Sequence, residues 1–421
     1  MMTSRERLQA TLNHRQPDCV CVDFGATPVT GLHVSIVDRL RQRLLGDGHW
    51  RVKIIEPYQM LGEVDEALRQ ALGLDVVGLW PRRSIFGTEA KGWKPFKLFD
   101  GTECLVPEDF RVSAAPDGGW HIYPEGDLQA PPSGHMPKGG YFFDAIIRQE
   151  ALDEDHLNPR DNCEEFSLFS GTDLDYYQAG KRWLEAQGQN GVLLVIPGTG
   201  FGDIALVPAT WLKHPKGVRD VTEWYISLKS RGDYMQAVFQ RQCEIALENL
   251  RALIGIFGDM VQVAYISGTD FGTQRGPMIG LADYRQLFKP FHKQVNDLVH
   301  QRTNWKTFIH SCGSVYQFIP DFIEAGFDIL NPVQCSAAEM EPARLKRQFG
   351  AQLVFWGGGV DTQKTLAFGA PDQVYEEVRE RIGIFNDGGG FVFNSIHNIQ
   401  GNTPIENVES LFRAIRDSAS G

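Results

Sequence analysis

His310 and Cys312 are the two residues whose types and spacing most directly indicate chemistry. They flank Ser311 at the end of an apolar segment, 306–310, that has the composition of a β-strand. Because side chains alternate along a strand, the imidazole and the thiol share one face. Imidazole and thiolate together are ligands that zinc prefers. Two ligands do not complete a zinc site, and the alternative is a buried cysteine that packs as a small hydrophobe beside a hydrogen-bonded histidine.

Polar side chains also follow the ends of other predicted strands. Loop capping is the commoner role of a single such residue, but the coincidence over four strands favours a functional rim. The residues are Asp270 and Gln274, Asn331 and Gln334, Asp361 and Gln363, and His397, Asn398 and Gln400.

Within this rim, Asp270 and His397 are the candidate catalytic groups, because a carboxyl group and an imidazole can exchange protons in a protein site. The remaining candidates are expected to contact substrate through their amide or carboxylate groups: Gln274, Asn331, Gln334, Asp361 and Gln400. The glycine-rich segment 197–202 lacks the spacing of a phosphate-binding loop, and we interpret it as a tight turn that lets the backbone approach a substrate.

Eight short apolar segments alternate with amphipathic ones and are predicted strands. Helical patterns at 315–325 and 372–386 lie between the later strands. A β-then-α rhythm implies a parallel sheet, and eight units over this length favour a (β/α)8 TIM barrel over an open doubly wound sheet. The predicted strands are 20–24, 75–79, 192–196, 261–266, 306–310, 328–331, 353–356 and 391–394.

The β/α rhythm is interrupted at about 80–190. Turn-rich pieces separated by aromatic residues predict an inserted β-hairpin excursion, followed by helices at 144–157 and 173–188. An insertion after an early strand would lie near the barrel mouth, either as a lid or dimer arm or as a surface decoration. We therefore expect residues 1–421 to form one barrel domain that carries this excursion.

Composition excludes several classes of function. The chain has 421 residues, of which 42% are hydrophobic and 22% charged, and its formal net charge is -12. This acidity disfavours binding to nucleic acid or to an anionic membrane surface. The N-terminal residues lack the apolar core of a signal peptide, so a cytoplasmic location is expected. Seven irregularly spaced cysteines do not form a disulfide framework and are expected to be reduced.

Taken together, these motifs resemble the uroporphyrinogen decarboxylase superfamily, which includes zinc-dependent methyltransferases that act with methylcobalamin. The resemblance covers nearly the whole chain and is specific for the superfamily rather than for one activity. The matching segments are 5–18, 268–278, 310–314, 324–334, 357–361 and 397–407.

Two differences separate the chain from the decarboxylase itself. Segment 23–33 has no arginine where the decarboxylase carries the arginines that hold its substrate's carboxylates. His310 and Cys312 match the zinc ligands of the corrinoid methyltransferases, and the decarboxylase lacks this motif. His397 stands where those methyltransferases have a second cysteine, and the decarboxylase also has a histidine there, without a metal. Histidine can replace cysteine as a zinc ligand, and Asp270 can supply an oxygen.

The resemblance implies a zinc-assisted methyltransferase that acts with a corrinoid protein on a small methylated compound or methyl acceptor. One alternative is a metal-free lyase resembling the decarboxylase, with Asp270 or His397 as proton donor. Another is a catalytically inert barrel that serves as a binding partner. Since superfamily members resemble homodimers, and Trp93 and Trp120 give the insertion apolar surface, a homodimer is expected.

Overall fold

Eight parallel strands form the centre of the molecule in the computed structural model, which describes residues 1–419. All eight lie where the sequence predicts them, and their order around the sheet is β1–β8–β7–β6–β5–β4–β3–β2. The prediction of a (β/α)8 TIM barrel is therefore confirmed. The strands are β1 Cys21–Val22, β2 Val76–Leu79, β3 Gly191–Val195, β4 Val263–Ser267, β5 Lys306–His310, β6 Ile329–Asn331, β7 Val354–Trp356 and β8 Phe391–Phe393.

The join between β1 and β2 relies on one aspartate. The Asp75 N–H donates to the Val22 carbonyl at 2.8 Å, and the Val22 N–H donates to Asp75 Oδ2 at 2.9 Å. Arg7 of the N-terminal helix pairs with the other oxygen of the same carboxylate. Further along β2, a Cβ on Gly78 would meet the Ala26 carbonyl oxygen at 1.8 Å, so only glycine permits this approach.

Helices cover the outside of the barrel. The predicted helix at 372–386 is confirmed as Pro371–Phe385, whereas the segment 315–325 divides into a 3-10 turn, Tyr316–Phe318, and a helix, Ile319–Glu324. The other helices of at least six residues are Ser4–Leu12, Val34–Leu45, Glu66–Leu72, Gly171–Ala186, Val221–Ser230, Gly232–Phe257, Lys289–Arg302, Pro342–Phe349 and Ile405–Ser418. None of the helices within residues 1–419 combines the length and the apolar character that a bilayer crossing requires.

Two small sheets lie outside the barrel. Val52–Glu56 pairs in parallel with Glu103–Val106, so one sheet combines chain from before β2 with chain from after it. The other sheet is antiparallel throughout. Just before its last strand, the Tyr141 carbonyl accepts a hydrogen bond at 2.9 Å from Nε2 of His33, which lies in the loop after β1. The strands are Val52–Glu56, Leu61–Gly62, Lys94–Lys97 and Glu103–Val106 in the first sheet, and Val112–Ala114, Trp120–Ile122, Gly134–Met136 and Asp144–Ala145 in the second.

The prediction of a helix at 144–157 is wrong, and the prediction at 173–188 is confirmed as Gly171–Ala186. The first segment contains the short strand Asp144–Ala145 and a 3-10 turn, Glu154–His156. Between them, Arg148 donates to the Ala209 carbonyl at 2.8 Å and to the Leu212 carbonyl at 2.6 Å. These contacts tie the segment to a distant loop, and residues 146–153 form no helix in spite of their helical pattern.

The barrel interior positions the site. Val263, Phe308 and Ile329 belong to one buried apolar cluster, and each points inward. Two residues further along the same strands, Tyr265 and His310 therefore also point inward, one layer closer to the carboxyl ends of the strands. The interior is thus apolar below and polar at the mouth.

Candidate functional site

His310, Cys312 and His397 converge at the mouth of the barrel. One ligand atom from each lies within 4.8 Å of the other two, and the Cys312 Sγ is 3.4 Å from His310 Nε2. Zinc bonds of about 2.0–2.3 Å place tetrahedral ligand atoms about 3.5–4 Å apart, so the widest separation would close by about 1 Å around an ion. The two imidazole rings are 5.4 Å apart and nearly perpendicular, at 76°. The donor set and its spacing fit zinc.

Asn331 fixes the orientation of His310. The Asn331 Nδ2 donates to the Trp356 carbonyl at 2.9 Å, which turns its Oδ1 toward His310. The His310 Nδ1 lies 2.6 Å from that oxygen, so Nδ1 must carry the ring proton. The lone pair of the imidazole is therefore on Nε2, the atom that faces Cys312.

Backbone contacts fix the loop that carries Cys312. The Cys312 N–H donates to Asp270 Oδ1, and the Gly313 N–H donates to Gln334 Oε1, each at 2.6 Å. Gly313 has a φ of +84°, and a Cβ there would lie 2.4 Å from backbone atoms of Gly272. Glycine after Cys312 is therefore required by both conformation and space.

Burial controls the protonation of the three candidate ligands. It lowers the pKa of His310 and of His397 to about 4, so both imidazoles are neutral at pH 7. Burial, assisted by the charge of Asp270, raises the pKa of the Cys312 thiol well above its usual range. A bound divalent cation would reverse this effect by favouring the thiolate.

Asp270 lies beside the three candidate ligands. Its Oδ1 is 3.9 Å from His310 Nε2, and its side chain retains 26% of its accessible surface. Burial raises the pKa of this carboxyl, and the hydrogen bond from the Cys312 N–H opposes the rise. Asp270 can therefore supply an oxygen to a cation or a proton to a substrate.

The structure assigns other contacts to the predicted substrate-binding residues. Asn331 and Gln334 use their amides to hold His310 and Gly313, so both lie behind the candidate ligands. Gln274 is exposed and donates to the Gln363 side chain at 3.0 Å. The last two predicted substrate-binding residues lie in the later loops. Asp361 accepts the Gln363 N–H at 2.8 Å, and the Oε1 of Gln400 is buried without a hydrogen-bond partner among the described residues.

A cavity of about 1200 Å³ occupies the other half of the mouth, where β1 to β4 end. Its lining includes Asp203, Tyr265 and Gly268. A Cβ on Gly268 would lie 2.6 Å from Asp203 Oδ2 and 2.7 Å from the Tyr265 hydroxyl, so these two polar atoms face the same point. Gly268 is two residues before Asp270, and the cavity therefore adjoins the three candidate ligands.

Sequence reasoning missed Asp203 and Tyr265, although both carried a signal. Asp203 directly follows the glycine-rich turn 197–202 that we expected to approach a substrate. Tyr265 is in phase with the inward-facing Val263, and period-2 alternation would have placed it at the mouth.

The cavity contains acidic groups without cationic partners. Burial raises the pKa of Asp203 and of Glu56 to about 7, and no cation counteracts that rise at either carboxyl within residues 1–419. Three arginines also line the cavity: Arg82 and Arg83 are paired with carboxylates, and Arg69 donates to the Gln187 side chain at 2.9 Å. The lining carboxyl groups outnumber these arginines. The cavity is therefore acidic.

Comparisons with known proteins agree with this architecture. The family model for uroporphyrinogen decarboxylase (URO-D) matches residues 209–418, which include β4 to β8 and all three candidate ligands. A solved structure, a methyltransferase from Methanosarcina mazei, is similar over 99% of both chains with a TM-score of 0.54 and 14% sequence identity. No curated protein matches the chain. The family match, the barrel and the motif at its mouth together show that the chain belongs to the uroporphyrinogen decarboxylase superfamily.

Proposed function

We propose that this protein is a zinc-assisted methyltransferase that acts with a corrinoid protein. The substrate is a small methylated compound or a small methyl acceptor. The observation that carries the proposal is the convergence of His310, Cys312 and His397 at the mouth of the barrel. The likeness to a solved methyltransferase supports the same class of activity.

Each residue of the site has a defined task in this proposal. His310, Cys312 and His397 hold the ion, which when bound lowers the pKa of a thiol or polarises a leaving group. Asn331 keeps the His310 lone pair on Nε2, and Asp270 holds the Cys312 backbone through its N–H. Asp270 also remains available as the fourth ligand, through a carboxylate oxygen, or as a proton donor.

A polycarboxylate substrate fits the mouth poorly. Segment 23–33 has no arginine, and the cavity arginines Arg82 and Arg83 already bind Glu89, Asp173 and Glu125. Arg69 alone would have to bind several carboxylates, and it already donates to Gln187. Releasing Arg82 or Arg83 for a substrate carboxylate would leave protein carboxylates unpaired, which costs free energy.

One observation favours the second candidate, a metal-free lyase resembling the decarboxylase. Asp270 is a partly buried carboxyl with a raised pKa, placed 3.9 Å from His310. A protonated carboxyl at that position could deliver a proton to a carbanion. This candidate predicts activity that does not depend on the Cys312 thiol.

The test combines metal analysis with a methyl-transfer assay. The wild-type protein, purified in metal-free buffer and given zinc, should retain about one equivalent, as expected for a single three-residue site. Cys312→Ala should lose this zinc and all methyl transfer, which is followed by cobalamin absorbance. Its thermal melt should match that of the metal-free wild type, because the thiol lies at a strand end and bound zinc would itself stabilise the fold. Cys19→Ala removes a thiol that lies before β1 and serves as the control.

The outcomes separate the candidates. Zinc binding and methyl transfer that both depend on Cys312 support the methyltransferase. Methyl transfer by Cys312→Ala at the wild-type rate would overturn the zinc mechanism. A protein that binds no zinc and transfers no methyl group, yet decarboxylates a porphyrinogen-like substrate, would support the lyase.

A further inference from the structure

The cavity next to the three candidate ligands has the chemistry of a cation site. Asp203 enters it directly after the turn at 197–202, with Oδ1 accepting the Ala205 N–H at 3.0 Å. Its Oδ2 is directed toward Gly268, next to the Tyr265 hydroxyl. Within residues 1–419 no N–H or O–H group donates to this second oxygen. Oδ2 is therefore free to accept from, or pair with, a group that enters the cavity.

Aromatic side chains share the cavity with this carboxylate. Tyr58, Trp80 and Tyr265 line the same cavity as Asp203. The Tyr265 hydroxyl and the Asp203 Oδ2 face the same point, at Gly268. Burial raises the pKa of Tyr58 and of Tyr265, and the charge of Asp203 adds to each rise. An anionic group among aromatic rings is the arrangement that recognises methylated ammonium groups in other proteins.

The aromatic walls are held in place by the barrel. The Trp80 Nε1 donates to the Ala26 carbonyl at 2.8 Å, which fixes the indole against the loop after β1. The Tyr265 ring packs at 5.1 Å from the Phe308 ring inside the barrel. Rigid walls reduce the conformational entropy that a ligand must overcome on binding.

We propose that this cavity binds a methylated onium cation, a quaternary ammonium or a sulfonium, with Asp203 as its charge partner and Tyr58, Trp80 and Tyr265 as its aromatic walls. The inference rests on the proposed function, because it identifies the class of methyl donor. Glu56 contributes a second carboxyl to the same lining.

The position of the cavity suits methyl transfer. Gly268, which faces Asp203 Oδ2, is two residues before Asp270, and Asp270 Oδ1 is 3.9 Å from His310 Nε2, so the proposed cation would lie near the candidate metal centre. An onium is a competent methyl donor because its leaving group is neutral. The electron pair of the broken C–N or C–S bond stays on nitrogen or sulfur, and the nucleophile of the corrinoid partner supplies the pair for the new bond to carbon.

The test is calorimetric binding to the zinc-loaded protein without a corrinoid partner. Choline and trimethylsulfonium are the cationic probes, and 3,3-dimethyl-1-butanol is the neutral isostere of choline. The wild type should bind at least one cation about tenfold or more tightly than the isostere, because only the cation gains from the carboxylate and the ring faces. The preferred probe distinguishes an ammonium site from a sulfonium site.

Variants assign the effect to the proposed residues. Asp203→Asn keeps the acceptor for the Ala205 N–H and should weaken cation binding about tenfold while changing isostere binding less than twofold. Tyr58→Leu should weaken cation binding, whereas Tyr58→Phe should restore it, because the ring face is retained. Asp175→Asn makes the same change of charge at an exposed helical position and should bind as the wild type does.

Three results would overturn the inference: equal affinity for choline, trimethylsulfonium and the isostere, no binding of any probe at millimolar concentration, or wild-type cation affinity in Asp203→Asn. The proposed function fails separately, through loss of zinc binding or of methyl transfer. If the protein demethylates uncharged methyl compounds and does not bind the onium probes, only the onium inference is wrong. If choline binding depends on Asp203 and methyl transfer is absent, only the proposed function falls.

Discussion

The Nδ1 of His310 lies 2.6 Å from the Oδ1 of Asn331, and this contact determines which nitrogen of the imidazole can bind a metal. The Trp356 carbonyl orients the Asn331 amide, so the two strands β6 and β7 cooperate in holding a side chain of β5. A candidate ligand from one strand is thus positioned by its neighbours in the barrel, rather than by its own loop.

Removing the amide of Asn331 should weaken zinc binding. We expect Asn331→Ala to lower zinc affinity about 10–100-fold, because His310 loses the acceptor that fixes its tautomer and ring plane. Asn331→Asp keeps an acceptor and should retain more of the affinity. The measurement is competition with a chelator of known zinc affinity.

A buried amide elsewhere provides the control for Asn331. Asn407 donates at 2.9 Å to the carbonyls of Leu366 and Gly369 and so holds the C-terminal helix. Asn407→Ala should lower the free energy of unfolding and leave zinc affinity unchanged. Equal zinc affinity in Asn331→Ala and the wild type would contradict the positioning role.

His292 should make the protein less stable in acid. It is fully buried, its Nε2 has no partner, and burial lowers its pKa to about 3. The unfolded chain has a histidine pKa of about 6.5, so between these two values the unfolded state binds the extra proton. This contribution to the free energy of unfolding is complete above pH 6.5 and falls by about 1.4 kcal/mol per pH unit below it.

The free energy of unfolding of the wild type depends on pH through several buried groups at once. The difference between the wild type and His292→Leu isolates the contribution of His292. Asp23, Glu56 and Asp203, whose pKa values burial raises to about 7, act in the opposite direction because their folded forms bind protons more tightly. Urea unfolding of His292→Leu between pH 7 and pH 4 should show the smaller loss of stability. His49→Gln, which changes an exposed histidine, is the control. If the stability of His292→Leu falls with pH as steeply as that of the wild type, His292 does not cause the loss of stability in acid.

Asp75 should contribute strongly to stability and not to the site. Its carboxylate joins β1 to β2 and binds Arg7 at the end of the barrel opposite to the mouth. We expect Asp75→Ala to lower the free energy of unfolding by about 3 kcal/mol, since a buried hydrogen-bonded charge pair is broken. Asp18→Ala, which removes a more exposed partner of the same arginine, should cost about 1 kcal/mol or less. Both variants should retain zinc, and loss of zinc in Asp75→Ala would show that the ends of the barrel are coupled.

We expect the protein to form a homodimer. Trp120 stacks on Phe99 within the insertion, with ring centroids 3.8 Å apart, so the surface available for contact is provided by other residues, including the exposed Leu128 and Phe142. Light scattering at micromolar concentration should give twice the mass of the 47.2 kDa chain. Phe142→Glu should weaken the dimer, whereas Phe368→Glu, at another exposed position, should not. A monomeric wild type would contradict this prediction.

The sequence alone determined the eight strands and the shared face of His310 and Cys312. Both depend on local patterns, because alternation along a strand and turn residues at its ends are set within a few positions of the chain. The same alternation would have placed Tyr265 at the mouth. The motifs around these strands were also sufficient to indicate the superfamily.

Only the tertiary structure decided which distant residues meet. Closure of the barrel brings His397 of the last loop to Cys312 and places Asp203 beside Tyr265, and no spacing in the chain encodes those distances. The carbonyls of Ala209 and Leu212 likewise hold Arg148 in a segment without a helix, where the sequence pattern predicts one. Local propensity amounts to at most about 1 kcal/mol per residue, and hydrogen bonds and packing formed across the fold outweigh it.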